Sequence, residues 1–189
     1  MKSKRVVIFN APPNAGKDVC AKYCTDNNPS ASHKEFKKVL FDVAKAIAQI
    51  SDGEWDLLYT RERKEQPTDR LFGMSPREWM IHTSESVIKP VFGKKYFGDA
   101  MALSLADGIN YVSDGGFIEE LYPVLAVAEV LILRIHRDGC TFEGDSRNYL
   151  PDNIEGAKVL DIENNSTLED LFFTVDTEVN KWLLSLEIL

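Results

Sequence analysis

The sequence predicts an α/β domain: a mainly parallel sheet with helices over both faces, in three layers. Three observations predict it. Five short stretches read as strands: Arg5 to Asn10, His33 to Lys37, Ile109 to Ser113, Val130 to Ile135 and Lys158 to Ile162. Segments with helical spacing of apolar residues separate them, and strands alternating with helices make parallel sheets covered on both sides. At 189 residues and 44% apolar content, the chain fits one compact domain, 1–189, with an ordinary core.

The elements follow in order. Arg5 to Asn10 is an apolar run long enough for a buried strand. Ala11 to Ala15 is a turn with two prolines and an asparagine, and Gly16-Lys17-Asp18 opens a helix carrying Val19, Cys20, Tyr23 and Cys24. From Leu40, apolar residues at Val43, Ala44, Ile47 and Ile50 predict a helix that Asp52-Gly53 breaks. A shorter helix holds Trp55, Leu58 and Tyr59. The charged stretch Arg61 to Arg70 is either a solvated connection or brings Arg61, Arg63 or Arg70 to a phosphate pocket.

Ser75 then reads as an N-cap, Pro76 as the first helical residue and Glu78 as the partner in a capping box. That helix is expected to stop near Val87, before Pro90. Gly93 to Gly108 holds another helix, with Phe97, Met101, Leu103 and Leu105 as its apolar content. Glu119 to Val127 suits a helix that Pro123 must bend unless it sits in the first turn. His136 to Pro151 is a polar loop, and Ser166 with Glu169 reads as a second capping box. The last helix places Leu168, Leu171, Phe172, Val175, Val179, Trp182, Leu183 and Leu186 on one face.

Charge and cysteines bound the function. A formal charge of −8 argues against binding polymeric nucleic acid through phosphate neutralisation, but not against a local basic pocket. The three cysteines lack metal-ligand spacing and cannot all pair, so a reducing cytoplasm is expected, with Cys20 and Cys24 as packing residues. No apolar run has the length of a membrane span, no signal-peptide pattern follows the basic start, and a homodimer is left open.

The strongest chemical signal is the first turn. Strand, tight loop, Gly-Lys and helix is the layout of a phosphate-binding loop: helix-start N–H groups and the helix dipole favour an anion, and Lys17 supplies an ammonium. Ala11 stands where the usual pattern has its first Gly, and Asp18 where it has a hydroxyl. In parallel sheets ligands sit beyond the carboxyl ends of the strands. Gly16-Lys17-Asp18, Asp114 and the Arg134 to Arg147 region all fall there.

Four stretches resemble phage deoxynucleoside monophosphate kinases and their P-loop relatives: Gly16-Lys17-Asp18, Gly73-Met74-Ser75-Pro76-Arg77-Glu78, Ser113-Asp114 followed by Phe117 and Glu119-Glu120, and Ile162 to Glu169. The resemblance implies the P-loop fold of nucleoside monophosphate kinase type. A helical monophosphate-binding section would span about 38–108 and a lid about 137–151. It also implies a phage-encoded enzyme that transfers the ATP γ-phosphoryl group to a deoxynucleoside monophosphate with Mg²⁺. Gly116 stands where many relatives place an Arg, and Ser166 where Gly is usual.

Roles follow from that resemblance. Lys17 would bridge the β- and γ-phosphates, and the N–H groups of Asn14, Ala15, Gly16, Lys17, Asp18 and Val19 would hold the β-phosphate. Asp18 either binds Mg²⁺ or caps its own helix; Asp114 either binds Mg²⁺ or orients the acceptor, or is a turn residue before two glycines. Arg77 would grip the acceptor phosphate as a bidentate fork. Phe41, Asp42, Trp79 and Glu85 would line a base and sugar pocket, and Arg137 and Arg147 would stabilise the transferring group from the lid. A kinase for another small phosphorylated metabolite and a nucleotide-binding regulator without transfer stay open.

Overall fold

The computed structural model describes residues 2–188. Five strands, β1 (Lys4–Asn10), β2 (Ser32–Lys34), β3 (Gly108–Val112), β4 (Ala128–His136) and β5 (Ala157–Glu163), form one sheet in the order β2-β3-β1-β4-β5. All four pairings are parallel. The fold is therefore the parallel, helix-covered α/β architecture the sequence predicts, with β1 central and its carboxyl end beside those of β3 and β4.

Alternation along β1 splits the core into two layers. Val7 and Phe9 face α1 (Lys17–Asp26) and α8 (Leu168–Glu187), packing with Leu131, Leu133, Leu171, Val175 and Trp182. Val6 and Ile8 face α6 (Tyr96–Ser104) and α7 (Ile118–Val127), packing with Met101, Leu121, Val124 and Ile132. A third cluster joins α2 (Lys37–Ala48), α3 (Asp52–Leu58) and α4 (Pro76–His82) through Ala44, Trp55, Leu71, Trp79 and Met80. Cys20 and Cys24 are buried packing residues, and burial pushes both thiols up to about 12. No described helix is long and apolar enough to cross a membrane.

Several boundaries differ from the sequence reading, each for a local reason. α2 ends where Gln49 turns left-handed, at φ 53°, and not at Asp52-Gly53. Those two residues begin α3, because the Ser51 hydroxyl accepts from the Glu54 N–H and caps them. The Ser75–Glu78 box forms as expected. The helix does not stop before Pro90. It widens to a π-turn over Thr83–Ile88 and continues as α5 (Lys89–Phe92). Pro90 has no N–H for the carbonyl one turn earlier, and the wider turn absorbs that missing bond. The final helix is capped by Thr167 and Asp170, one residue later than expected, since Ser166 to Asp170 offers the same spacing twice. Leu168 is half-exposed and Leu103 fully so; neither belongs to the core.

Candidate active site

The loop after β1 is anchored at both ends. β1 ends in Asn10, which is fully buried although it closes an apolar strand. Its side chain donates to the carbonyls of Gly115 and Asn148, both at 3.1 Å, and accepts from the Leu150 N–H at 2.8 Å. One amide thus ties together the loops that follow β1, β3 and β4. From the far side, buried Asn164 donates to the Ala15 carbonyl at 2.9 Å. Gly16 lies at φ 108°, and a Cβ there would come within 2.8 Å of the Asn164 amide, so the loop admits only glycine at this point.

The loop's donors are left unused. Among the described residues, no backbone carbonyl accepts from the N–H groups of Asn14, Gly16, Lys17, Asp18 or Val19; the Ala15 N–H meets Pro12 at 3.4 Å. Asn14, at φ 65°, and Gly16 turn these N–H groups into a concave, positively polarised nest. Lys17 is buried, its ammonium 3.2 Å from the Pro12 carbonyl and 3.9 Å from Asp18. Burial lowers the Lys17 pKa, against the pull of Asp18. An arriving polyphosphate would restore the missing counter-charge. Asp18 is exposed and makes no hydrogen bond to the start of its helix among the described residues, so it caps nothing.

Arginines gather at the same loop. Arg137 reaches the Asn14 carbonyl and Arg61 the Asn14 side chain, each at 3.4 Å. Arg147 lies deeper, held as a fork by Asp145 at 3.0 and 2.8 Å. Its stem occupies the space beside Gly116, where an added Cβ would sit 2.8 Å from the Arg147 Cβ. The expected arginine is absent from 116, and the volume there is taken by an arginine from the loop after β4.

An open cavity adjoins the loop. Its walls include Lys37, Phe41, Tyr59, Arg77, Asp114 and Arg147, with Ser84, Lys89, Phe97, Phe117 and Glu120 farther along. Phe41, Arg77, Asp114 and Arg147 are thus brought together. Arg77 is paired with Glu65 at 2.8 Å, and its N–H donates to the Lys64 carbonyl. Both Asp114 oxygens accept from the start of α2, the Phe36 N–H at 2.8 Å and the Lys37 N–H at 2.9 Å.

Three expected wall residues lie elsewhere. Trp79 is buried in the helical core, donating to the Ala44 carbonyl at 3.0 Å. Asp42 pairs with Lys38 and Lys45 on an outer face, and Glu85 is bound to Lys89 at 2.6 Å. Helical spacing gave all three a face, but only the turns before and after decide which face meets the cavity. Sequence reasoning missed Asn10, Lys37, Tyr59, Lys89 and Glu120. A buried asparagine ending an apolar strand was the one available signal among them.

Mg²⁺ fits this donor set in one way. Among the described residues no three His, Cys, Asp or Glu side chains form a metal cluster. Mg²⁺ in phosphoryl-transfer sites is held chiefly by substrate phosphates and water with one or two carboxylates. Asp18, exposed beside the nest and 3.9 Å from the Lys17 ammonium, is the carboxylate that would share in holding it.

Glu120 is the electrostatic anomaly. It is 6% exposed, and burial pushes its carboxyl up to about 7, with Lys89 opposing and Asp114, Glu85 and Glu119 adding. The folded chain holds this proton more tightly than the unfolded chain, whose carboxyl titrates near 4.5. Stability therefore falls as pH rises from about 4.5 through about 7, with ~3 kcal/mol lost by pH 8. Glu120→Gln should accordingly raise the melting temperature at pH 8 and leave it unchanged at pH 4, as thermal denaturation at both values will show.

No protein-family model and no curated protein sequence matches the chain. Among solved structures it is similar to a gluconokinase from Sinorhizobium meliloti 1021, 8% identical over 100% of this chain and 98% of that one, TM-score 0.49. It is also similar to an unliganded sugar kinase from Janibacter sp. HTCC2649, 12% identical over 94% of this chain and 95% of that one, TM-score 0.44. At these values neither likeness bears on substrate or chemistry.

Proposed function

We propose that the chain transfers the γ-phosphoryl group of ATP to a deoxynucleoside monophosphate. One observation carries the reading: a nest of unpaired N–H groups with a buried lysine abuts a cavity whose near wall bears Lys37, Arg77 and Arg147. The nest and Lys17 suit the donor's β- and γ-phosphates, and the three cations suit a second anion on the acceptor. In the transfer, an acceptor phosphate oxygen bonds to the γ-phosphorus while its bond to the bridging β,γ-oxygen breaks, and ADP leaves with that electron pair. Lys17, Arg137 and Arg147 balance the charge as it moves. Mg²⁺, held by Asp18 and the phosphates, would supply further neutralisation.

The cations beside the loop suit an acceptor that carries its own negative charge, and a phosphate oxygen is already ionised and needs no base. Phe41, Tyr59, Phe97 and Phe117 add flat apolar walls suited to a nucleobase.

A coupled ADP-release assay over dAMP, dCMP, dGMP and dTMP, with gluconate as a hydroxyl acceptor, tests the reading. Turnover of at least one monophosphate and none of gluconate is expected. ATP binding without turnover of any monophosphate overturns it. Within the same assay, Arg147→Lys should lower kcat about 10²-fold, because an ammonium cannot reproduce the fork that Asp145 orients.

A further inference from the structure

We infer that Glu120 reads the acceptor's base and favours guanine over adenine, cytosine, thymine and uracil. The inference rests on the acceptor being a deoxynucleoside monophosphate, as proposed above. The charges acting most on Lys17 are Asp18, Arg147, Asp145 and Lys37; those acting most on Glu120 are Lys89, Asp114, Glu85 and Glu119. Asp114 accepts from the Lys37 N–H and acts on Arg147 as well as on Glu120, so it lies between two ends of one cavity. The loop end is cationic and suits the acceptor's phosphate. The other end holds Glu120, with Phe97 and Phe117 also on the cavity wall.

Glu120 is 94% withdrawn from solvent, since only 6% is exposed, yet it lines the cavity. Among the described residues nothing donates to its carboxylate. The cation acting most on it is already engaged: the Lys89 ammonium is 2.6 Å from Glu85 and 4.9 Å over the Phe117 ring. The carboxylate's helix is seated on α6, the Glu120 carbonyl packed against Gly98 with no room for a Cβ between them. A buried, unpaired acceptor facing a ligand cavity is costly unless the ligand supplies the donor.

The bases differ in what they can supply. Guanine offers adjacent N1–H and N2–H donors that match both oxygens of a carboxylate. Adenine and cytosine offer one amino donor beside a ring nitrogen, and thymine and uracil one N–H flanked by two carbonyls; in each the neighbouring lone pair would face the second carboxylate oxygen and repel it. A matched two-bond edge discriminates by about 10- to 100-fold.

The test is kcat/KM at pH 8 for dGMP, dAMP, dCMP and dTMP with the wild-type chain, E120Q and E120A. In the wild type dGMP should exceed each of the others by at least ~10-fold, and those ratios should fall towards one in E120A. E120Q, whose amide both donates and accepts, should raise dAMP, dCMP and dTMP relative to dGMP. A purely structural role would lower all four acceptors together and leave their ratios intact, which overturns the inference, as does a wild-type profile in which another acceptor equals dGMP. Either result leaves the kinase reading standing. Absence of turnover with all four removes that reading, and this inference with it.

Discussion

Replacing Lys17 with Met is expected to lower phosphoryl transfer by about 10²- to 10³-fold while leaving the fold intact. The two halves of that expectation have separate causes. Lys17 is the only cation buried in the loop itself, its ammonium resting on the Pro12 carbonyl within reach of the nest. Its charge is placed before the substrate arrives, so no reorganisation is needed when negative charge shifts to the bridging oxygen. Without it, Arg137 and Arg147 remain, but one engages Asn14 from outside and the other is tied to Asp145. Stability responds differently. Burial already disfavours the ammonium, so a Met of similar length removes a desolvated charge and fills the same space. A melting temperature equal to or above the wild type, with activity lost, is the expected pair. A melting temperature that falls with activity would show that Lys17 holds the loop together and would undo the catalytic assignment.

Gly98→Ala is expected to be strongly destabilising. A Cβ at this position would lie 2.1 Å from the Glu120 carbonyl oxygen and 2.7 Å from its carbon. Both are backbone atoms, so no side-chain rotation relieves the clash, and α6 must separate from α7. Overpacking typically costs ~1–3 kcal/mol, and backbone against backbone lies at the upper end. Helix propensity opposes it, since Ala is better than Gly by ~1 kcal/mol, but that term is the smaller. The net loss of ~2 kcal/mol should lower the melting temperature by about 4–8 °C in a chain of this size. Gly53→Ala is the matched control. Nothing lies within 4 Å of a Cβ there, and the position is helical, so no loss is expected. Because the clash moves Glu120, acceptor KM should also rise in Gly98→Ala, which gluing two distant surface helices would not produce.

The sheet was readable because the strands and the Gly-Lys loop are written locally. An apolar run of five to seven residues, then a turn, then Gly-Lys, needs no knowledge of distant neighbours. Boundaries were harder where one local rule competed with another. Gly53 reads as a breaker, yet Ser51-Asp52-Gly53-Glu54 also carries the cap spacing, and the cap prevailed. The cavity was legible only in part. Arg77 and Arg147 stand out as arginines beside structural punctuation, a capped helix start and a glycine-rich loop. Lys37 and Glu120 do not stand out, because their position depends on how α2 and α7 approach the end of β3. Trp79 was misplaced for the complementary reason: an aromatic at helical spacing declares that it is buried, not what buries it. Asn10 belongs to a third kind, a polar residue whose three partners come from segments over a hundred residues away.

The crowding between Gly116 and Arg147 has an evolutionary corollary. One guanidinium stem fills the volume that bulk at the other position would require, so the two addresses are mutually exclusive. Inherited change at either must pass through the pair: a lineage gaining a side chain at 116 has first to shorten 147, and a lineage shortening 147 opens a berth that 116 can then fill. The charge stays in place while the segment of chain that delivers it is exchanged.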